Sequence, residues 1–538
     1  MKIENIKTLK DLLNYSTSRY SSNIINSFVN GKPVTYGEFE EKVEALKEKL
    51  GSLGVQKGDK VALFTHNTPN YSVVYFAVTT MGAVIVPLLP DFSAPEVENI
   101  LTHSESKILF ISKRLAPKLD GIDLPLIENM LDVDNYNMLK TSETNNLIPV
   151  NNEINPDDVA SIVYTSGTTG KSKGVVLTHH NLVAQAKMTL KIEPVNEKSV
   201  FLSMLPLPHA YEGSLGFLLP ILGGSTVYYL EKPPTPAILI PAMQKIKPTH
   251  ILSVPLIPEK IFKNNILPQI NSKPITKALY KTTIGRKILH RIAGKKLYKM
   301  LGENLQFFGI GGAKLDPVTE RFLYEGKFPY AIGYGLTETA PLLSAALTYN
   351  VKPESAGFKL EEVEMKVHDI DSKGIGELWV KTPSLMKGYY KEPELTDNVI
   401  TPDGWFKTGD LVKVNPSGRI FIKGRLKNVI LTSTGENIYP EDIESVINNF
   451  HFVQESLVVQ QKGKLVAMVK FNYEDLEKQY EKFKEELQHK VDELKEELQT
   501  YVNSRVNRFS QISVVVALPS ASDFEKTSTM KIKRYLYE

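Results

Sequence analysis

An apolar segment that runs straight into a loop of small and hydroxylated residues sets the strongest constraint on the fold. Residues 160–164, "ASIVY", have the composition of a buried strand, the loop "TSGTTGKSKG" follows at 165–174, and "VVLTHHN" leaves it. Glycines let a backbone approach a ligand closely, and hydroxyl and amide groups in such a loop hold anions. Ligands of α/β proteins collect at the carboxyl ends of strands, which is where this loop lies.

The loop does not match the nucleotide loop of ordinary ATPases and kinases. That loop needs a glycine, four further residues and then Gly-Lys-Ser or Gly-Lys-Thr. Counting back from Gly170 puts the first glycine at position 165, where this chain has Thr165. The sequence therefore predicts a different phosphate chemistry.

Alternation of helix and strand patterns extends the α/β interpretation along the chain. Residues 35–54 place Phe39, Val43, Leu46 and Leu50 at helical spacing, and the strand "KVALFT" follows. A second, buried helix is predicted to end at Gly82, before the buried strand "AVIVPLL". Alternation of this kind predicts α/β layers with largely parallel sheets.

The pattern changes twice towards the end of the chain. After about residue 350, glycine-rich turns between short β-type segments predict hairpins or a small barrel. In the last hundred or so residues, apolar side chains separated by threes and fours predict one long amphipathic helix. They are Leu476, Tyr480, Phe483, Leu487, Val491, Leu494, Leu498 and Val502. We expect this helix to cover a small C-terminal sheet, and a coiled-coil partner is the alternative.

Composition limits the classes of protein that the chain can belong to. Its 538 residues exceed one core, and 64 basic against 61 acidic side chains argue against a general affinity for nucleic acid. It has no cysteine, which excludes disulfides, thiolate zinc sites and a cysteine nucleophile. The start "MKIENIKTLKDLL" lacks a signal-peptide core, and residues 73–90 are too interrupted for a membrane span. We expect a cytoplasmic protein.

Six segments, in this order, narrow the function. They are "YTSGTTGKSKG" (164–174), "LPLPHAYEG" (205–213), "FGIGGAKLDP" (308–317), "GYGLTETAP" (333–341), "DGWFKTGDL" with "IKGRLKNVI" (403–430), and "EKTSTMKIKR" (525–534). Their order and spacing resemble the AMP-forming acyl-adenylating superfamily, which includes acyl-CoA synthetases, aryl-CoA ligases, luciferases and peptide-synthetase adenylation domains. Together with "VPLIPEKIF", "SLMKGYYKEPELT" and "LTSTGENIYPEDIE", they look most like bacterial long-chain fatty-acid–CoA ligases.

The resemblance implies an α/β fold with two domains. Residues 1–426 would form a large adenylate-forming domain with two α/β sheet subdomains and a small β-barrel-like subdomain. Residues 427–538 would form a small mobile α+β domain, with the hinge near Lys427. In this superfamily the C-terminal domain swings by a large angle, so that one face serves adenylation and the other, near "LTSTGEN", serves thioester formation.

The resemblance also implies the residues that bind ATP. The glycine-rich loop would hold the β- and γ-phosphates through Thr165, Ser166, Gly167, Thr168, Thr169, Gly170 and Lys173. Tyr334, followed by Gly335, would stack on adenine beside a backbone wall formed by Gly311, Gly312 and Ala313. The carboxylate of Asp410 would accept both ribose hydroxyls, and Arg425 would contact ribose or phosphate.

Four further residues are implied in the chemistry. Lys531 would bridge the substrate carboxylate and the α-phosphate, although Met530 stands where the family commonly has glycine. Thr337 would contact phosphate, and Glu338 would bind Mg²⁺ together with Thr165. His209 either lines the passage between the acyl and pantetheine pockets or is an ordinary packed histidine.

Three smaller features remain open. Tyr211 could gate the acyl tunnel, and the adjacent His179 and His180 are expected to be structural because neighbouring side chains diverge. From residue 260 to 302 no acidic residue occurs, while lysines and arginines recur among apolar side chains. This segment would bind an anionic membrane surface or the phosphates of CoA, or would simply be a solvated basic helix.

The predicted function is an ATP-dependent long-chain fatty-acid–CoA ligase, with ATP and Mg²⁺ as cofactors and CoA as co-substrate. It would form acyl-AMP with release of pyrophosphate, and then the thioester. The alternatives are a medium-chain or aryl acid–CoA ligase, an acyl–carrier-protein synthetase, and a non-catalytic fatty-acid or nucleotide binding protein. The expected location is cytoplasmic, with peripheral contact at the inner membrane face left open.

Overall fold

The computed structural model describes residues 1–141, 153–165, 172–431, 437–479, 484–527 and 531–538. Its α-helices, in chain order, are Leu9–Tyr20 (α1), Tyr36–Ser52 (α2), Pro69–Thr80 (α3), Ala94–Ser104 (α4), His179–Ile192 (α5), Leu219–Gly223 (α6), Pro236–Ile246 (α7), Leu256–Lys260 (α8), Leu267–Asn271 (α9), Pro274–Tyr280 (α10), Thr283–Met300 (α11), Pro317–Glu325 (α12), Pro393–Val399 (α13), Pro440–Ile447 (α14), Tyr473–Gln479 (α15) and Lys484–Asn503 (α16). Two π-helical segments, Glu212–Leu218 and Ile261–Ile266, join some of them.

The β-strands, in chain order, are Ile24–Phe28 (β1), Val34–Thr35 (β2), Lys60–Phe64 (β3), Val84–Leu88 (β4), Ser106–Ile111 (β5), Asn129–Asp132 (β6), Met138–Lys140 (β7), Val159–Thr165 (β8), Lys173–Thr178 (β9), Val200–Ser203 (β10), Thr226–Tyr229 (β11), His250–Ser253 (β12), Phe307–Ile310 (β13), Tyr330–Gly335 (β14), Leu342–Ala346 (β15), Phe358–Lys359 (β16), Glu364–His368 (β17), Gly376–Lys381 (β18), Gly388–Tyr389 (β19), Phe406–Val414 (β20), Ile420–Arg425 (β21), Ile430–Leu431 (β22), Asn437–Ile438 (β23), Val453–Gln461 (β24), Lys464–Phe471 (β25) and Val514–Ala517 (β26).

Two large sheets dominate the part of the chain that the structure describes. One has nine strands in the order β16-β15-β14-β13-β12-β10-β11-β1-β2, and the pairs from β14 to β1 are parallel. The other has eight strands in the order β19-β9-β8-β4-β3-β5-β6-β7, with β8, β4, β3, β5 and β6 parallel. Both sheets confirm the predicted α/β class.

Helix α3 shows why the two sheets form one body. Every residue from Tyr71 to Thr80 is buried, because this apolar helix lies inside the core that the two sheets share. Its Phe76 ring packs against Phe39 of α2, with ring centroids 5.8 Å apart. The helix ends before Gly82, whose φ of +86° turns the chain into the wholly buried strand β4, as the sequence predicts.

Two smaller sheets follow along the chain. The segment predicted as hairpins or a barrel is a four-stranded antiparallel sheet, β17-β18-β20-β21. The C-terminal domain has the sheet β24-β25-β26, and α16 covers it with Val491, Leu494, Leu498 and Val502, as expected. Of the predicted long helix, residues 480–483 lie outside the described residues.

The adjacent histidines begin helix α5. His179 is fully buried, and its Nδ1 accepts a hydrogen bond of 3.2 Å from the backbone N–H of Leu9. This contact ties α1 to α5, which is the structural role expected of His179, whereas His180 is exposed. None of the helices in the described ranges is long and apolar enough to cross a membrane.

Candidate active site

The glycine-rich loop connects two antiparallel strands. Thr165 ends β8 and pairs with Lys173, which begins β9. In the nucleotide loop of ordinary ATPases the chain continues into a helix. Here a strand follows the loop, which agrees with the failure of that sequence pattern. The predicted phosphate ligands Ser166, Gly167, Thr168, Thr169 and Gly170 lie outside the described residues.

Tyr389 links this loop to the predicted metal ligand. Strand β19 pairs with β9, and the hydroxyl of Tyr389 donates a hydrogen bond of 2.8 Å to Oε1 of Glu338. The ammonium of Lys173 lies 5.3 Å from the centroid of the same ring, within range of a cation–π contact. One tyrosine therefore orients a carboxylate and a cation beside the loop. Tyr389 lies in the segment "SLMKGYYKEPELT", whose sequence alone does not indicate this role.

Asp410 stands at the centre of a buried polar cluster. It is only 4% exposed, and Arg425 lies directly opposite it on the neighbouring strand. Its Oδ1 lies 2.7 Å from Nε of Arg425, and its Oδ2 accepts a hydrogen bond of 2.7 Å from the hydroxyl of Tyr334. Burial raises the pKa of Asp410, and the charge of Arg425 and the Tyr334 hydrogen bond oppose that effect.

Thr408 holds this cluster in place, a role that the sequence does not predict. Its hydroxyl donates to the carbonyl of Leu378 at 2.7 Å and accepts from the backbone N–H of Asp410 at 3.1 Å. Its carbonyl also accepts a hydrogen bond of 3.3 Å from Arg425. A threonine two residues before an aspartate is too common a pattern to mark this role in a sequence.

Packing and backbone conformation favour glycine in and next to the predicted adenine wall. Gly311 follows β13, and a Cβ atom there would lie 3.3 Å from the ring of Tyr211. Gly312 has a φ of +86°, which favours glycine. At Gly335 a Cβ atom would lie 1.9 Å from the carbonyl oxygen of Pro341, so no side chain fits. Ala313 is exposed beside this wall.

His209 is neutral near pH 7. The backbone N–H of Tyr211 donates a hydrogen bond of 3.2 Å to its Nδ1, so the ring proton of the neutral form lies on Nε2. Burial, and after it the positive charge of Lys531, lowers the pKa of His209 to about 4. The positive charge of Lys531 thus lies near enough to His209 to disfavour protonation of its imidazole.

Lys531 joins the site from the C-terminal domain. Its segment folds back on itself, since the N–H of Thr527 donates to the carbonyl of Lys531 at 2.8 Å. Desolvation, and then the charge of Arg425, lowers the pKa of Lys531, whereas Asp410 and Glu338 raise it. The side chain remains accessible to water. Four predicted charged groups thus lie close enough for their charges to interact, namely Lys531, Arg425, Asp410 and Glu338.

Contacts between the two domains hold Lys531 in this position. Lys314 forms an ion pair of 3.0 Å with Asp442, and Asn449 donates a hydrogen bond of 2.8 Å to Asp316. The predicted hinge residue Lys427 lies in the 3-10 turn Leu426–Asn428, directly after β21. These contacts stabilise the orientation in which the C-terminal lysine faces the Asp410 cluster.

A small apolar cavity lies beside the adenine wall. It encloses about 20 Å³, room for a water molecule, and its lining includes Leu215, Phe307 and Ala331. The buried ring of Tyr211 fills the space next to it, because a Cβ at Gly309 would come within 2.8 Å of the tyrosine hydroxyl. Tyr211 is one of the lining side chains whose movement would enlarge the cavity.

Comparison with known families identifies the chain. The model of the AMP-binding enzyme family matches residues 17–390, and that of the AMP-binding enzyme C-terminal domain matches residues 427–538. The chain belongs to the AMP-binding enzyme family. This confirms the predicted superfamily and the predicted enzyme class of AMP-forming acid–thiol ligases.

Individual relatives differ in the acid and the acceptor that their names state. An Arabidopsis thaliana protein named probable acyl-activating enzyme 16, chloroplastic, is 30% identical over 82% of this chain and 73% of its own length. A chloroplastic long-chain-fatty-acid–[acyl-carrier-protein] ligase of the same plant is 28% identical, over 83% and 73%. Its 4-coumarate–CoA ligase 3 is 28% identical, over 82% and 77%.

Solved structures share the fold. The O-succinylbenzoate coenzyme A synthetase of Bacillus subtilis, in complex with ATP and magnesium ion, superposes with a TM-score of 0.76 at 22% identity, covering 97% of this chain and 98% of that one. The fatty acyl CoA synthetase of Mycobacterium tuberculosis has a TM-score of 0.68 at 22% identity, with coverage of 99% and 97%. These similarities confirm the α/β fold with a large N-terminal and a small C-terminal domain.

Proposed function

We propose that the protein is an ATP-dependent long-chain fatty-acid–CoA ligase that acts in two steps. The observation that carries the proposal is the arrangement of Lys531, Asp410, Arg425 and Glu338 around one site beside an apolar cavity. A cluster of charges suits a nucleotide, whereas the cavity has room only for a water molecule, and its apolar lining would suit the tail of a fatty acid once side chains move aside. A cytoplasmic location is part of the proposal, supported by the lack of cysteine.

In the first step a carboxylate oxygen of the acid forms a bond to the α-phosphorus of ATP. The bond between that phosphorus and the bridging oxygen breaks, and pyrophosphate leaves. The Lys531 ammonium would offset negative charge on both the carboxylate and the α-phosphate, and Asp410 with Arg425 would hold the ribose in position. Neutral His209 adds no charge to the acyl passage.

Magnesium fits the residues that are present. Glu338 supplies a carboxylate and Thr165 a hydroxyl, which are the hard oxygen ligands that this ion prefers. Magnesium bound with a nucleotide is usually held by one or two carboxylates together with the phosphates, whose charge it would neutralise.

In the second step the thiol of CoA attacks the acyl carbon, AMP leaves, and the thiol proton is lost to solvent. The same adenylate could be passed to the thiol of a carrier protein, as the name of one relative states for that enzyme. A long-chain acid is proposed because the cavity lining is apolar and because several sequence motifs look like those of long-chain ligases. Tyr211 would swing aside to admit the chain.

Pyrophosphate exchange tests the proposed acid. We expect label to exchange from pyrophosphate into ATP most rapidly with long-chain fatty acids in a panel that includes medium-chain and aryl acids. Faster exchange with an aryl or medium-chain acid would contradict the proposed substrate. If none of the acids in the panel supports exchange, the proposed activity is contradicted. Release of AMP with CoA or with a holo-carrier protein then identifies the acceptor.

The swinging of the C-terminal domain is tested by separating the two steps. Lys531→Ala should abolish acyl-AMP formation yet leave thioester formation from supplied acyl-AMP intact. Lys533→Ala is a matched control, because this lysine lies two residues away and pairs with Glu525 at 3.7 Å. Equal loss of both half-reactions in the Lys531 variant would contradict the account of two orientations.

A further inference from the structure

Helices α10 and α11 present a face that is both apolar and basic. Five apolar side chains on these helices are strongly exposed, although isoleucine and leucine are usually buried. They are Ile275 (75% exposed), Leu279 (45%), Ile284 (75%), Ile288 (54%) and Ile292 (51%). A contiguous row of this kind rimmed by charge marks an interaction site, whereas single exposed residues need no explanation.

Packing on the opposite side fixes this face towards solvent. Gly294 of α11 lies so close to Gly326 that a Cβ atom would be 2.7 Å from its carbonyl oxygen. Arg286 grips Glu325 with two hydrogen bonds of 2.8 and 3.1 Å, and His290 contacts the same carboxylate at 2.7 Å. The helix therefore cannot rotate to bury its isoleucines.

The two helices are also locked to each other. Thr282 caps α11 by accepting a hydrogen bond of 3.1 Å from the N–H of Gly285. A Cβ atom at Gly285 would lie 2.3 Å from the carbonyl oxygen of Leu279, so the corner between the helices is tight. The two helices therefore hold fixed positions at this corner, and we call their exposed apolar and basic side chains the α10–α11 face.

The chain segment that forms this face carries charge of a single sign. Residues 260–302 contain eleven lysines and arginines and no aspartate or glutamate. Lys287, Arg291 and Lys295 are exposed on the same helix as the isoleucines. Leu297 of the same helix is buried in the core and does not belong to the face.

The composition of the face favours lipid over a protein or a small anion. Protein partners are held mainly by tryptophan, tyrosine and arginine anchors that fit pockets. A row of aliphatic side chains edged by lysine and arginine is the pattern of a helix that lies in a membrane interface. We propose that the α10–α11 face docks this protein on a lipid surface that carries negatively charged headgroups.

The face lies one layer away from the proposed acid cavity. Strand β13 alternates its side chains, so that Phe308 and Ile310 pack in the same core cluster as Leu297 of α11. Phe307 and Gly309, on its other side, line the cavity. Docking by this face would leave one helix layer and the sheet between the cavity and a membrane, and the docking itself does not depend on which acid is activated.

Vesicle co-sedimentation of the full-length protein tests the proposal. The probes are phosphatidylcholine vesicles with and without phosphatidylglycerol. A charge-reversal variant carries Lys287→Glu, Arg291→Glu and Lys295→Glu. An apolar variant carries Ile284→Ser, Ile288→Ser and Ile292→Ser. A matched control reverses three exposed lysines elsewhere on the surface, namely Lys32→Glu, Lys42→Glu and Lys232→Glu.

The wild type should bind vesicles that contain phosphatidylglycerol and bind neutral vesicles far more weakly. Each basic residue near an anionic surface contributes roughly fivefold in affinity, so the charge-reversal variant should lose about 100-fold or more. The apolar variant should lose roughly tenfold or more, and the control should bind like the wild type. Circular dichroism melting confirms that each variant is folded.

Three results would overturn the proposal. The first is a wild type that does not bind anionic vesicles, and the second is wild-type binding by either the charge-reversal or the apolar variant. The third is a variant that binds vesicles like the wild type but no longer binds an acidic carrier protein. That result would make the face a protein-docking surface. None of these results bears on the pyrophosphate exchange that tests the ligase activity.

Discussion

Glu212 gives a stability prediction whose size can be worked from its surroundings. This side chain is 1% exposed and begins the π-helical segment Glu212–Leu218. Its Oε1 accepts a hydrogen bond of 2.6 Å from the hydroxyl of Ser203, which also receives one of 3.0 Å from Asn67. Burial raises the pKa of Glu212 from 4.5 to about 8.

The sign of the pH effect follows from this shift. A carboxyl group whose folded-state pKa is raised keeps its proton in the folded protein while the unfolded chain ionises. Its contribution to stability is therefore complete below pH 4.5 and declines as the pH rises to about 8. From pH 5 to pH 8 the loss is about 1.4 kcal/mol per pH unit, or roughly 4 kcal/mol in total.

Glu212→Gln removes the ionisation and keeps the shape. The variant should match the wild type at pH 5 and exceed its free energy of unfolding by up to about 4 kcal/mol at pH 8. Thermal melts of both proteins at a series of pH values measure this, with the exposed Glu48→Gln as a control. A difference between wild type and Glu212→Gln that does not change with pH would refute the reasoning.

Two further substitutions test contacts around the site. Tyr389→Phe removes the hydrogen bond that orients Glu338, a bond worth about 1 to 1.5 kcal/mol. Acyl-AMP formation should therefore fall roughly tenfold, while thioester formation from supplied acyl-AMP is unchanged. Loss of both half-reactions would point to misfolding. Asp442→Lys opposes Lys314 and should slow adenylation a few-fold, since exposed pairs contribute up to about 1 kcal/mol. Adding Lys314→Asp should restore the rate, and an unrestored rate would count against this domain contact.

Periodic patterns allowed much of the fold to be predicted from the sequence. Phe39, Val43, Leu46 and Leu50 are all buried on α2, as their helical spacing indicates. Helix α3 ends just before Gly82, whose positive φ permits the turn into β4. Such features depend on neighbours within a few residues, which is why a sequence reveals them.

The contacts that complete the site lie far apart along the chain. Tyr389 meets Glu338 across 51 positions, and Tyr334 meets Asp410 across 76. Nothing local in the sequence indicates these partners, because the sheets bring them together only after folding. The family motifs identified Glu338 and Asp410 as site residues. Tyr389 also lies in a family-like motif, but that motif implied no role for it.

The C-terminal sheet shows the same limit on a smaller scale. The spacing of Val491, Leu494, Leu498 and Val502 predicts an amphipathic helix over a small sheet, but the spacing alone does not distinguish that sheet from a coiled-coil partner. The structure supplies the partner, which is the strand set that contains Val458 and Val469. Apolar periodicity gives the face of a helix, and only the three-dimensional contacts give its neighbour.

An isotope label tests the central claim most directly. If a carboxylate oxygen of the acid becomes bonded to the α-phosphorus of ATP, an acid labelled with heavy oxygen must leave one labelled oxygen on AMP after thioester formation. Mass spectrometry of the products measures this transfer. We expect the label in AMP, and label in pyrophosphate or inorganic phosphate, or in neither product, would contradict the proposed adenylation.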